Sequence, residues 1–138
     1  MSEQQNVDIV RRGYDAFGRG DIDALLDLFD DQIQWISAGP SDLPTAGRRT
    51  GKQQVRDFFT TVDSLLEFRR FEPKHFIAQG DRVIVLGEDD VTVRATGKPL
   101  SDSWAHAFTL KNGKVTHFQE FIDTAALVGE LRAAQVHK

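Results

Sequence analysis

The sequence predicts an α+β domain in which a curved antiparallel sheet wraps around N-terminal helices. Three observations predict it. Apolar residues recur at helical spacing near the N-terminus and again mid-chain, strand-like segments follow one another in the second half, and Asn112-Gly113 joins two of the longest. Helices segregated from hairpin-connected strands pack as α+β. At 138 residues the chain is one domain, 1–138, long enough to bury a core.

Val7, Val10, Tyr14 and Phe17 fall on one helical face, which predicts a helix over about Gln5–Arg19. Gly20 suits its end and Asp21 can cap the next start. Ile22, Leu25, Leu28 and Phe29 form the stripe of a short second helix ended by Asp30-Asp31. Gln32–Ser37 reads as a strand with Ile33 and Trp35 on one face. Gly39, Pro40, Pro44 and Gly47 mark Ala38–Thr50 as a loop. Thr50 and Gln53 have the spacing of a capping box for a third helix, about Lys52–Leu66, whose apolar face is Val55, Phe58, Phe59, Val62 and Leu66. Phe68–Ala78 contains Pro73, which places it at an edge or a bulge. Arg82–Val93 is the next strand, with Asp89-Asp90 as its solvated end. Thr96-Gly97-Lys98-Pro99 turns into the hairpin, and Asp123 can cap a last short helix carrying Leu127, Val128 and Leu131.

The hairpin, Leu100–Asp123, carries the chemistry. Asn-Gly tolerates positive φ at both turn positions. Successive strand side chains point to opposite faces, so Trp104, His106, Phe108 and Leu110 share one face of the first strand. Phe118, Glu120 and Ile122 share one face of the second. The register decides what meets His106. A two-residue loop pairs Leu110 with Val115 and sets Gln119 beside His106. A three-residue loop, Lys111-Asn112-Gly113, sets Phe118 opposite His106 and Glu120 opposite Trp104. A slip of one residue flips every side chain. The apolar count favours the three-residue loop.

Composition narrows the function. Apolar content is 40% and charged content 28%, and the net charge is −4. Phosphate binding needs a basic surface, so nucleic acid is excluded as a partner. There is no cysteine, which removes disulfides, thiol nucleophiles and thiolate metal sites and fits a reducing cytoplasm. The polar start MSEQQNVD has no signal-peptide core, and no apolar run approaches the roughly 20 residues that span a bilayer. His75, His117 and His137 lack metal-ligand spacing, and phosphate-cradling glycine motifs are absent. The expectation is a site without metal or cofactor.

His106 is a candidate acid/base, since an imidazole titrates near neutral pH; equally, it is a core histidine bonded to a carbonyl. Glu120 either orients His106 or acts as the base, with its pKa raised in apolar surroundings; on the other register it is an exposed edge carboxylate. Tyr14, Phe17, Trp35, Phe59, Trp104, Phe108, Phe118 and Ile122 are candidates to line an apolar pocket. Phe17 and Phe59, at regular helical spacing, read as core. For the two tryptophans the pocket is favoured, because a buried indole N–H needs a partner that cavity water can supply. Asp42, in the 38–50 loop, reads as solvent-exposed.

GYDAFGRGDIDALLDLFDDQIQW, the G-x3-G-KQQVRDFF segment from Gly47, FIAQGDRVIVLG, ATGKP and WAHAFTLKNGKVTHFQEFIDTAAL together resemble the NTF2-like superfamily, and within it the SnoaL-like and ketosteroid-isomerase-related proteins. The resemblance implies a cone with an internal pocket, commonly dimerised through the sheet. The family's isomerase residues align with Ser37 (its Asp base), Gly13 (its tyrosine, one residue before Tyr14) and His106 (its oxyanion-hole acid), so that triad is not preserved here. The resemblance therefore implies a cofactor-independent isomerase, cyclase or dehydratase that moves a proton on a hydrophobic carbonyl compound. Alternatives are a non-catalytic binder of an apolar small molecule and a dimerisation domain with a remnant pocket. On the enzyme reading, His106→Ala destroys turnover and leaves the fold intact.

Overall fold

A computed structural model describes residues 2–136. Helix α1 (Glu3–Gly18) starts at a capping box. The Ser2 hydroxyl accepts from the Gln5 N–H, and the Gln5 side chain accepts from the Ser2 N–H. These bonds satisfy backbone donors that a helix start leaves free. The chain leaves the helix through Gly20, at φ +71°, and Asp21 caps α2 (Ile22–Leu26) by accepting from the Ala24 N–H. The second helix is shorter than its apolar stripe predicts, because Phe29 already belongs to strand β1 (Phe29–Ser37).

The expected loop over 38–50 is also shorter. Gly47–Thr50 forms strand β2, antiparallel to β1 over Gln34–Ser37. That pairing removes the expected capping box. Thr50 lies in the strand with its hydroxyl donating to Gln34, and Gln53 bonds Asp57. Helix α3 (Lys52–Leu65) starts instead at Gly51, which sits at φ +85° and offers no side-chain cap. Strands β3 (Leu66–Gln79), β4 (Arg82–Val93), β5 (Pro99–Lys111) and β6 (Lys114–Ile122) follow, then α4 (Ala125–Val136). As Pro73 requires, β3 is an edge strand, with bulges near residues 69 and 74.

The six strands run in the order β2-β1-β6-β5-β4-β3. Four pairings are antiparallel; β1 and β6 run parallel, so the expected antiparallel sheet is mixed at that seam. The curved sheet is unclosed, and its inner face holds α1, α2 and α3. The architecture is the α+β cone of NTF2-like proteins. Val83 and Val85 of β4, Ile33 of β1 and Val55 of α3 are fully buried against it. Each such side chain contributes roughly 1.5–3 kcal/mol by leaving water. Among the described residues no helix is long and apolar enough to cross a membrane.

The hairpin corrects the predicted turn. Asn112 (φ 52°) and Gly113 (φ 79°) form a two-residue loop with Lys111 paired to Lys114 and Leu110 to Val115. The register then shifts at a bulge in β6. Thr116 is the extra residue, Thr109 pairs with His117 and Phe108 with Phe118. The shift runs opposite to the one expected, so Glu120 lies directly across from His106 and Ile122 across from Trp104. Both turn residues take the positive φ that matches the twist of the strands, so the turn has no need of a third residue.

Candidate active site

On the inner face, Trp104, His106, Phe108 and Leu110 are all buried, and Phe118 and Glu120 stand against them from β6. Tyr14 reaches in from α1. Its hydroxyl is 2.8 Å from His106 Nδ1, and His106 Nε2 is 3.1 Å from Glu120 Oε2. A carboxylate only accepts, so Nε2 carries the proton and donates to Glu120; Nδ1 is then an acceptor, and the Tyr14 hydroxyl donates to it. The chain of bonds runs from phenol to imidazole to carboxylate. Burial holds the His106 pKa below its ordinary value against the opposing pull of Glu120, so the ring is neutral at pH 7. Burial, reinforced by the Glu120 charge, pushes the Tyr14 phenol well above its usual range, so it stays protonated.

Aromatic stacking fixes the ring. Trp104 lies 4.0 Å from His106, centroid to centroid, at 17°, and Phe71 stacks on Trp104 at 5.0 Å. Trp104 leans over Gly87, where a Cβ would collide with its indole. Tyr14 points inward because its neighbour Gly13 faces α2, where a Cβ would meet Leu25 Cδ1 at 3.4 Å. Ser37 is buried, pairs with Glu120 across β1 and β6, and has no partner for its hydroxyl among the described residues.

The cone encloses a cavity of about 140 Å³. Tyr14, Phe17, Trp35, Phe59, Phe108, Phe118 and Ile122 line it together with His106 and Glu120. Trp104 does not; it backs His106 from behind. Trp35 stacks on Phe118 at 3.7 Å and its indole N–H has no partner among the described residues. Leu43 and Thr45 from the 38–46 loop and Leu127 from α4 line it as well. Asp42, exposed as expected, accepts two bonds from Arg132 (2.9 and 3.0 Å) and ties that loop to α4. Asp123 accepts from the Ala125 N–H at the start of α4.

Asp89 is the main departure. It is no solvated strand end. It is 6% exposed, lines the cavity and pairs with Asp102 of β5; only Asp90 turns outward, to Arg70. The signal was present in the alternation Val83, Val85, Gly87, Asp89, Val91, Val93, which puts Asp89 in the buried row. Desolvation, with Asp102, Glu120 and Asp90 nearby, raises its pKa to about 7, against a weak opposing pull from Arg70. Asp102 is raised too, by burial and then by Asp123 and Glu120. The folded chain holds a proton on Asp89 that the unfolded chain has lost, so this group's contribution to stability falls as pH rises from about 4 to about 7. Asp89→Asn is therefore expected to raise the melting temperature at pH 8 and leave it nearly unchanged at pH 4. An equal shift at both pH values would contradict the raised pKa.

Among the described residues no group of three His, Cys, Asp or Glu side chains is placed to hold a metal ion. His75 and His117 are exposed; His137 lies outside the described residues.

The profile of the SnoaL-like domain matches residues 10–118. The chain belongs to the SnoaL-like family. The SnoaL-like chain is also similar to solved NTF2-like structures. One from Burkholderia xenovorans is 37% identical, covering 94% of this chain and 97% of that one, with a TM-score of 0.84. Another, of unknown function, from Burkholderia pseudomallei is 30% identical over 94% and 97%, with a TM-score of 0.85. TerC, co-crystallised with polyporic acid, is 27% identical over 91% and 96%, with a TM-score of 0.82. No curated protein matches.

Proposed function

We propose that this SnoaL-like protein is a cofactor-independent enzyme that moves a proton on a small, hydrophobic, carbonyl-bearing molecule, as an isomerase, cyclase or dehydratase does. The Tyr14–His106–Glu120 chain ending at the cavity wall carries this reading. Both nitrogens of His106 are engaged, so the roles expected from the sequence exchange. Glu120 is the base, and His106 and Tyr14 hold its carboxylate in place. The oxygen of Glu120 not bonded to His106 takes the proton from the carbon next to the carbonyl. The electron pair moves onto the carbonyl oxygen, where the free Trp35 N–H and a protonated Asp89 are the available donors. Glu120 then returns the proton to another carbon, or the pair expels a leaving group.

The co-crystal of TerC with polyporic acid supports the view that this fold admits a small organic ligand. Carbonyl compounds incubated with the protein in deuterium oxide should exchange the proton next to the carbonyl faster than in buffer, read by proton NMR. Exchange at the buffer rate across a panel of compounds that do bind would favour the non-catalytic binder instead.

The same reading extends to a homodimer through the outer face of the sheet. There Leu86, Ala105 and Phe121 form one row across β4, β5 and β6, and Leu86 and Phe121 are exposed. Phe121→Lys should shift sedimentation from dimer to monomer. A wild-type chain that sediments at 15.5 kDa would overturn the dimer.

A further inference from the structure

The cavity wall has a charge pattern that goes beyond what the proton-transfer reading needs. Asp89, Asp102, Glu120 and Asp123 all line it, and among the described residues no Lys or Arg does. Arg70 is occupied on the outside by Glu72, Glu88 and Asp90. Two buried groups on residues that line this space, Asp89 Oδ1 and the Trp35 N–H, lack a partner among the described residues. A buried carboxylate without a counter-charge is costly. A proton on the carboxylate relieves that cost, and so does a cationic partner, which leaves the carboxylate ionised.

We propose that the cavity is an amine site, taking a small hydrophobic molecule whose protonated nitrogen sits between Asp89 and Asp102 beside the ring faces of Phe71 and Tyr14. This deepens the reading that the cavity takes a ligand. Asp89 and Asp102 are direct cross-strand partners, and Phe71 is the partner of Asp89 on the other side. Ammonium–carboxylate hydrogen bonds are the strong, charge-assisted kind, and a cation over an aromatic face adds to them. Size limits the rest of the molecule. An engineered cavity of about 150 Å³ holds benzene, so about 140 Å³ accommodates one ring, with a short aminoalkyl arm reaching the acids.

Three near-isosteres test this: 2-phenylethylamine, 2-phenylethanol and phenylacetate, titrated by calorimetry and by the fluorescence of Trp35 and Trp104. At pH 8 the amine should bind at least about tenfold more tightly than the alcohol, a gap of one decade in Kd, and the carboxylate should not bind. The charged groups that act on Asp89 are Asp102 from β5 and Glu120 from β6, with Asp90 of its own strand and Arg70 of β3 acting from the other face of the sheet. His106 and Tyr14 remain neutral. Asp89 must be ionised to pair, so the amine preference should shrink as pH falls from 8 to 5.5, and binding at pH 7 should release protons. Asp89→Asn and Asp102→Asn should each erase most of the preference while alcohol binding persists. Equal binding of amine and alcohol, tighter binding of the carboxylate, or a preference that survives both Asn variants would overturn the proposal. Failure of all three to bind would overturn the site itself. An intact amine preference with no deuterium exchange would remove the enzyme reading alone.

Discussion

Glu120→Gln is expected to lower turnover by about 10²–10⁴-fold, the range that a positioned acid or base contributes. The amide keeps the shape of the carboxylate, and its oxygen still accepts from His106 Nε2, which lies 3.1 Å from Glu120 Oε2. Packing and the Tyr14–His106 bond therefore persist, and the near-UV circular dichroism should match the wild type. What is lost is the oxygen that receives the proton. Turnover within a factor of three of wild type would remove Glu120 as the base.

His106→Ala is expected to destabilise the chain by about 3–5 kcal/mol, the scale for truncating a buried aromatic. The ring is 6% exposed and stacked 4.0 Å from Trp104. Its removal opens a void and strips partners from the Tyr14 hydroxyl and from Glu120, and each orphaned group adds to the cost. Since whole domains are stable by only about 5–15 kcal/mol, this variant does not test catalysis cleanly, contrary to the expectation that its fold stays intact. Urea unfolding reads the loss directly; a change below about 1 kcal/mol would mean that the ring is not held as described.

Much of this arrangement was legible from the chain. Helical spacing marked α1 and α3, Pro73 marked the edge strand, and alternation placed His106 and Glu120 on apolar faces. What was not legible depends on partners distant in sequence. Gly47–Thr50 is a strand only because β1 is beside it. The parallel seam between β1 and β6 joins segments some 80 residues apart, with no local pattern to announce it. Tyr14 reaches His106 across 92 residues. Asp89 was misjudged for another reason. Two adjacent acids look like a surface end, yet on a strand neighbours face opposite ways, and one of them is buried.

The bulge at Thr116 makes the spacing between turn and carboxylate a matter of parity. Val115 and Phe118 both face inward although they are an odd number of residues apart, and Glu120 inherits its inward direction from that single irregularity. Straightening the bulge with every residue kept would bring Gln119 beside His106 and turn Glu120 to the outer face, whereas deleting Thr116 would remove the bulge and leave Glu120 across from His106. One step of register thus separates a cone that carries this carboxylate inside from one that shows it to solvent. Between family members, the acid on the last strand is comparable only when inserted residues after the turn are counted, so a gap placed one position away in an alignment exchanges the interior of the protein for its exterior.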